Sequence, residues 1–175
     1  MLLKNDKKAL PLKSGGIKLA VVGPFADTAS MLKSDYEGAG DDSTDTIFGA
    51  LSRVNVGGST VFAAGCTVRD KPDPTTVAAA VSAVKAAEAT VMVLGLEKKD
   101  EHEGMDRSDT LLPSTQEAFA AAVFKAAGSK PVVLILCNGG AVSIDDLIEP
   151  SSAIIEAFNP AQQGPAALAA LLFGK

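Results

Sequence analysis

One hundred and seventy-five residues, 47% of them hydrophobic, are enough for one domain with a sizeable core and speak against a disordered chain. A net charge of −5, with no basic cluster longer than Lys7-Lys8, argues against nucleic acid as a partner, and no apolar run approaches the ~18–20 residues of a membrane helix. Aromatic residues make up only 5%, with no Trp and a single Tyr, Tyr36, which argues against a module that holds sugars by stacking alone.

In chain order, residues 1–16 read as a non-regular linker: polar at first, then Leu10-Pro11-Leu12, then Ser14-Gly15-Gly16. Met1 to Lys8 holds no extended apolar segment, so no signal peptide is read there. Ile17 to Val22 is a buried strand that stops at Gly23-Pro24, and Asp27-Thr28 caps a short helix running through Met31-Leu32. Gly38 to Asp42 is a flexible loop, followed by a helix from Thr44 to Val54 with Ile47, Ala50, Leu51 and Val54 on one face. Thr60 to Ala64 is a second strand, closed by Gly65-Cys66. Asp73-Pro74 starts a helix, since Asp accepts free amides and Pro at the first helical position loses no hydrogen bond. That helix runs to Glu88 and buries Val77, Val81 and Val84.

Thr90 to Leu94 is a buried strand leading into Gly95-Leu96-Glu97-Lys98-Lys99-Asp100-Glu101-His102-Glu103-Gly104-Met105-Asp106-Arg107. Ser114-Thr115-Gln116-Glu117 fits a capping box, opening a helix that turns Phe119, Val123 and Ala126 inward and ends near Gly128. Pro131 to Cys137 is continuously apolar, so both its faces are covered, as in a parallel sheet. Ala153 to Phe158 is a fifth strand, and Gly164-Pro165 opens a final Ala- and Leu-rich helix. Strands and helices alternate throughout, which predicts a three-layer α/β/α sandwich with a mainly parallel sheet of about five or six strands. Cys66 and Cys137 read as two buried thiols, and their spacing does not indicate a disulfide.

The obvious cofactor signatures are missing. The turn after the first strand, Gly23-Pro24-Phe25-Ala26-Asp27, is not G-x-G-x-x-G, and neither a phosphate-binding G-x-x-x-x-G-K-[ST] nor a G-x-S-x-G elbow occurs. No metal-ligand spacing is present, so no metal and no cofactor are expected. With His102 the only His, Ser-His and Cys-His catalysis are not credible. Carboxylate chemistry is left. A charged loop at the carboxyl end of a buried strand is where an open α/β sheet places working groups. Glu97, Asp100, Glu101, Glu103, Asp106 and Asp109 could serve acid–base catalysis or could simply form a solvated acidic loop. Composition alone favours the solvated loop.

Gly95-Leu96, Glu101-His102-Glu103-Gly104-Met105-Asp106-Arg107, Leu112-Pro113 and Gln116 resemble the G-L…E-x-E-G-x-D-R…L-P-x-x-Q signature of glycoside hydrolase family 3. Further landmarks follow in the same order as in that family. Leu2 through Leu12 resembles the segment joining barrel to sandwich, and Ala20 through Asp27 resembles the A-V-I-G-P-N-A-D strand and turn. Gly65-Cys66, Asn138-Gly139-Gly140 and the ending Gln162-Gln163-Gly164…Leu172-Phe173-Gly174 match others. The chain departs from the pattern at Phe25, where the family has Asn, and at Phe158-Asn159-Pro160-Ala161-Gln162, where the family has G-Y-P-G-Q.

The resemblance implies the second domain, residues 17–175, of a retaining exo-acting β-glucosidase or β-xylosidase whose catalytic barrel is not in this chain. By position Glu103 matches the acid/base that this domain lends to the barrel, with Glu101 the runner-up. A loop carboxyl closed against a neighbouring domain is desolvated, which favours the protonated form needed for donation. Asp106 and Arg107 are expected to bracket the loop with ion pairs, and His102 to point away from the sugar. The implied partners are the barrel and an oligosaccharide or aryl or alkyl β-glycoside, and the domain alone is expected to be inactive. Two other readings stay open on the residues: a stand-alone domain that binds carbohydrate or protein without catalysis, and a small nucleotide-binding α/β protein.

Overall fold

The computed structural model describes residues 1–14, 16–36, 45–71 and 73–175, so the Gly38–Asp42 loop lies outside the described residues. Six strands form one sheet in the order β1-β6-β5-β4-β2-β3. They are β1 (Leu2–Asn5), β2 (Lys18–Val22), β3 (Ser59–Ala63), β4 (Ala89–Gly95), β5 (Val132–Cys137) and β6 (Ala153–Glu156). Every pairing is parallel except β1 against β6.

The central strands are continuously apolar because the two faces of the sheet meet different helices. Val91 and Val93 of β4, with Val133 and Ile135 of β5, pack among α1 (Ile47–Val54) and α5 (Gly164–Leu172). Their neighbours Met92, Leu94, Leu134 and Leu136 pack instead among α2 (Pro74–Ala86), α3 (Ser114–Ala127) and α4 (Asp145–Ile148). The alternation of side chains along a strand therefore separates two cores, giving the three layers that the α/β sequence pattern predicts. Cys137 lies in the first core and Cys66 in the second, both as free thiols. Burial pushes the Cys66 thiol up to about 12. Burial also raises Cys137, helped by the nearby Glu156 carboxylate.

Local expectations differ from the structure where a distant partner decides. Residues 1–16 are not wholly irregular: Leu2–Asn5 is the edge strand β1, whose register is Leu2 to Ile155 and Asn5 to Ala153. Four residues with Lys4 among them carry no periodic signal, and the strand exists only through pairing with β6. The helix read from Thr44 begins at Ile47, where Thr46 caps it by accepting from the Gly49 amide at 2.9 Å. The Asp27-Thr28 start leads only to a 3₁₀ turn, Ala29–Leu32, with no side-chain cap. Asp73 caps α2 by accepting from Thr75 at 2.9 Å. That helix stops at Ala86, because the Glu88 amide is already bonded to Lys18 of β2 at 2.7 Å. It buries Ala80 and Val84, with Val77 and Val81 half-buried. The predicted capping box is not formed. Pro113 takes the cap position, and its carbonyl accepts the Gln116 amide at 2.8 Å.

β2 leads through α1 to β3 on one side, and β3 then returns through α2 to β4 on the other side of β2. At such a reversal a parallel sheet opens a crevice at the carboxyl ends of its strands. The loops after β4, β5 and β6 gather along that same edge.

Candidate active site

β4 delivers the acidic loop through a fixed exit. Gly95 is flanked so closely by β5 that a Cβ there would run into the Cys137 carbonyl, and the next amide, Leu96, donates to that oxygen at 2.9 Å. The fully buried Gln116 of α3 holds the same residue from the other side. Its Oε1 accepts from the Gly95 amide at 2.9 Å, while Nε2 donates to the Gly95 and Val68 carbonyls at 2.8 and 3.1 Å.

Beyond Leu96 the loop makes a helical turn, with the Asp100 amide donating to the Glu97 carbonyl at 2.8 Å. Asp100 is only 3% exposed; its carboxylate accepts the Glu97 amide at 2.9 Å and pairs with Arg69. One acid of the loop is therefore a structural anchor. Glu101 is half-buried, and its two oxygens accept the consecutive Gly139 and Gly140 amides just after β5, the second at 3.0 Å.

Glu103 stands apart from both. The Met105 amide donates to the His102 carbonyl at 3.0 Å, making a four-residue turn with Glu103 and Gly104 at its tip. Gly104 takes φ 81°, the left-handed conformation its third position requires. The Glu103 side chain is exposed and makes no hydrogen bond or ion pair with another described residue. His102 lines the cavity described below, and its Nδ1 donates to the Glu103 carbonyl at 2.8 Å.

The returning leg is held by Arg107, which donates to the Ala141 carbonyl at 3.2 Å and the Leu111 carbonyl at 2.6 Å. Its nearest carboxylate is Asp109, at 3.8 Å, and Asp106 is exposed with no such contact among the described residues. Further on, the Ser143 amide donates to the Thr110 carbonyl at 2.7 Å, and the two hydroxyls meet at 2.6 Å. Between this loop, residues 33–36 and the turns after β5 and β6 lies an open cavity of about 620 Å³. Glu101, Glu103, Asp106 and Arg107 line it, together with the exposed Tyr36 and Met105.

Below the loops, at the end of β6, lies a further acid that the sequence did not single out. Glu156, at the end of β6, is 9% exposed; burial raises its pKa, while the Phe158 amide (2.8 Å) and the Asn138 side chain oppose the shift. Protonation of Glu156 in the folded chain thus adds stability below the ordinary carboxylate value near 4.5, and that contribution is lost as pH rises through the raised folded value. Replacing Glu156 by Gln should raise the urea midpoint at pH 7 to 8, and the gain should close as pH falls toward 4.5.

The turn after β6 is strained at two places, since Phe158 (φ 55°) and Ala161 (φ 50°) both adopt left-handed backbone without being Gly. Left-handed geometry costs a side-chain-bearing residue ~1–2 kcal/mol, and the entropy of Gly returns ~0.4–1 kcal/mol of that. Ala161→Gly should therefore stabilise the domain by roughly 0.5–1 kcal/mol in denaturant titration. A loss of stability would mean that the turn is not strained.

The fold and site define an α/β sandwich with a carboxylate-lined cleft at one edge, built on loops after adjacent parallel strands. The chain belongs to the glycosyl hydrolase family 3 C-terminal domain family, whose model matches residues 1–175. It is 34% identical over 177 residues to Beta-D-xylosidase 1 of Arabidopsis thaliana, covering 99% of this chain and 22% of that protein. With the periplasmic beta-glucosidase of Salmonella typhimurium it shares 31% identity over 195 residues, covering 99% and 25%. Among solved structures, a GH3 exo-beta-xylosidase bound to a xylobiose aziridine probe superposes with TM-score 0.88 at 27% identity, over 99% of this chain and 22% of that one. The beta-glucosidase of Listeria innocua in complex with isofagomine gives TM-score 0.88 at 26% identity, over 99% and 23%. The chain thus spans about a quarter of the length of the relatives it matches.

Proposed function

We propose that this chain is the second domain of a retaining, exo-acting β-glycosidase of the β-glucosidase or β-xylosidase kind, and that Glu103 is its general acid/base. The observation that carries the reading is the contrast between two neighbouring acids. Glu101 has both oxygens on backbone amides, whereas Glu103 stands at a turn tip over the cavity with no partner among the described residues. A proton donor must reach an oxygen that does not belong to its own domain, and only an uncommitted carboxyl can do so.

The missing partner is a carboxylate on a catalytic barrel, joined through residues 1–16 to the sandwich of residues 17–175, with β1 of the joining segment closing the sheet edge. That carboxylate attacks the anomeric carbon of an oligosaccharide or an aryl or alkyl β-glycoside, forming a glycosyl ester. Glu103 gives its proton to the departing oxygen, then takes one from the water that cleaves the ester. A retaining site holds the two carboxyls ~5–5.5 Å apart. Arg107 shapes the loop rather than contacting the sugar, a role supported by the two carbonyls that it binds; Asp106, expected to bracket the loop with it through ion pairs, stays exposed with no ion pair among the described residues. Tyr36, 74% exposed, and Met105, 45% exposed, give the cleft an apolar margin suited to being covered by a second domain rather than left in water.

The test compares this 175-residue chain with a polypeptide that also carries the barrel, using 4-nitrophenyl β-glucoside and β-xyloside. Turnover is expected only with the barrel. Hydrolysis by the chain alone would overturn the reading.

A further inference from the structure

Glu101 is bound in a way that a solvated loop acid would not be. Its two oxygens take two successive amides, Gly139 and Gly140, from a segment 38 residues away. The glycines make this approach possible. A Cβ at Gly139 would stand 3.0 Å from Glu101 Oε1 and 3.3 Å from Asn159, and one at Gly140 3.3 Å from Oε2. The receiving turn is itself fixed, since Asn138 Nδ2 donates to the Gly140 carbonyl at 2.7 Å. Two residues of chain reach at most ~7 Å, so a clamp at residue 101 confines residue 103 to a small region above the turn. Arg107 secures the other leg on Ala141 of the same segment.

We infer that Glu101 is a positioning residue: its bidentate bond to the Gly139-Gly140 amides sets where the Glu103 carboxyl stands. This rests on the reading of Glu103 as acid/base. The clamp is a pair of charge-assisted bonds, which are about twice as strong as neutral ones and fix direction as well as distance. Glu101→Gln keeps the shape but turns an NH₂ toward one of the two amides, so one bond is lost and the loop gains freedom without losing its core.

Two measurements test this. In the 175-residue chain, the Gly139 and Gly140 amide protons should resonate downfield by NMR. Glu101→Gln should move both upfield, and Glu103→Gln should leave them in place; unmoved resonances in Glu101→Gln would overturn the clamp. In the polypeptide carrying the barrel, Glu101→Gln should lower kcat about tenfold to a hundredfold for alkyl glycosides with KM nearly unchanged.

Azide separates the roles, because in a variant lacking the acid/base it attacks the glycosyl ester in place of activated water, displacing the nucleophile's carboxylate and giving a glycosyl azide. Glu103→Ala should yield glycosyl azide and Glu101→Ala should not. Glycosyl azide from Glu101→Ala would overturn the positioning role and make Glu101 the acid/base. Glycosyl azide from neither variant, with Glu103→Ala as active as the parent, would remove the acid/base reading itself while leaving the NMR result to stand for the clamp.

Discussion

Glu103→Ala, placed in a polypeptide that carries both domains, is expected to lower kcat/KM for alkyl β-glycosides by ~10²–10⁴-fold, the usual contribution of a general acid. For 2,4-dinitrophenyl glycosides kcat/KM should barely change, because that leaving group departs without a proton. The second half-reaction still needs a base, so with these activated substrates kcat falls and a burst of dinitrophenolate precedes slow turnover. The graded response is what identifies the role. A residue that only shaped the cleft would cost every substrate alike, and a uniform loss across leaving groups would sink the assignment.

Gln116→Ala is expected to destabilise the domain by roughly 3 kcal/mol, since it strands the Gly95 amide and two carbonyls where water does not reach, at ~1–3 kcal/mol for an unmet buried group. At this chain length ~2–4 °C per kcal/mol follows, so melting should fall by about 6–12 °C. Gln116→Glu sharpens the test because it preserves volume. An oxygen would replace the nitrogen that now faces the Val68 and Gly95 carbonyls, and the loss should be largest at neutral pH and smaller in acid, where the new carboxyl regains a proton to donate. Melting points within a degree of the parent for both variants would mean that the Gln116 bonds contribute little net stability.

What could be read in the sequence follows from how locally each feature is decided. β4 and β5 were legible because a strand covered on both faces is apolar along its length, and Val91-Met92-Val93-Leu94 and Val132 to Leu136 are. Asp73-Pro74 was legible because a cap and the first helical residue are adjacent. β1 was not, since its partner strand comes some 150 residues later. Ser114-x-x-Glu117 matched a local cap pattern, yet Pro113 holds the cap position. In the site, Glu101 and Glu103 flank one His, and apart from the resemblance that matches Glu103 to the acid/base, nothing in their residue type separates them. Residues 139 and 140 distinguish them, by donating their amides to Glu101 and not to Glu103. Gly104 was the one local clue, a turn residue directly after the acid that stands at the tip.

The segment from Gly139 to Ser143 receives the loop at three separate points, through contacts spanning 38, 34 and 33 residues. All three lie beyond β5, so the acidic loop is made well before the surface that shapes it. During synthesis at the ribosome, β2, β3 and β4 can assemble while Glu103 still lacks a fixed place. The arrangement around Glu103 is therefore among the last things this domain acquires, and a chain halted before β5 would carry β2, β3, β4 and the acidic loop without the turn that holds it.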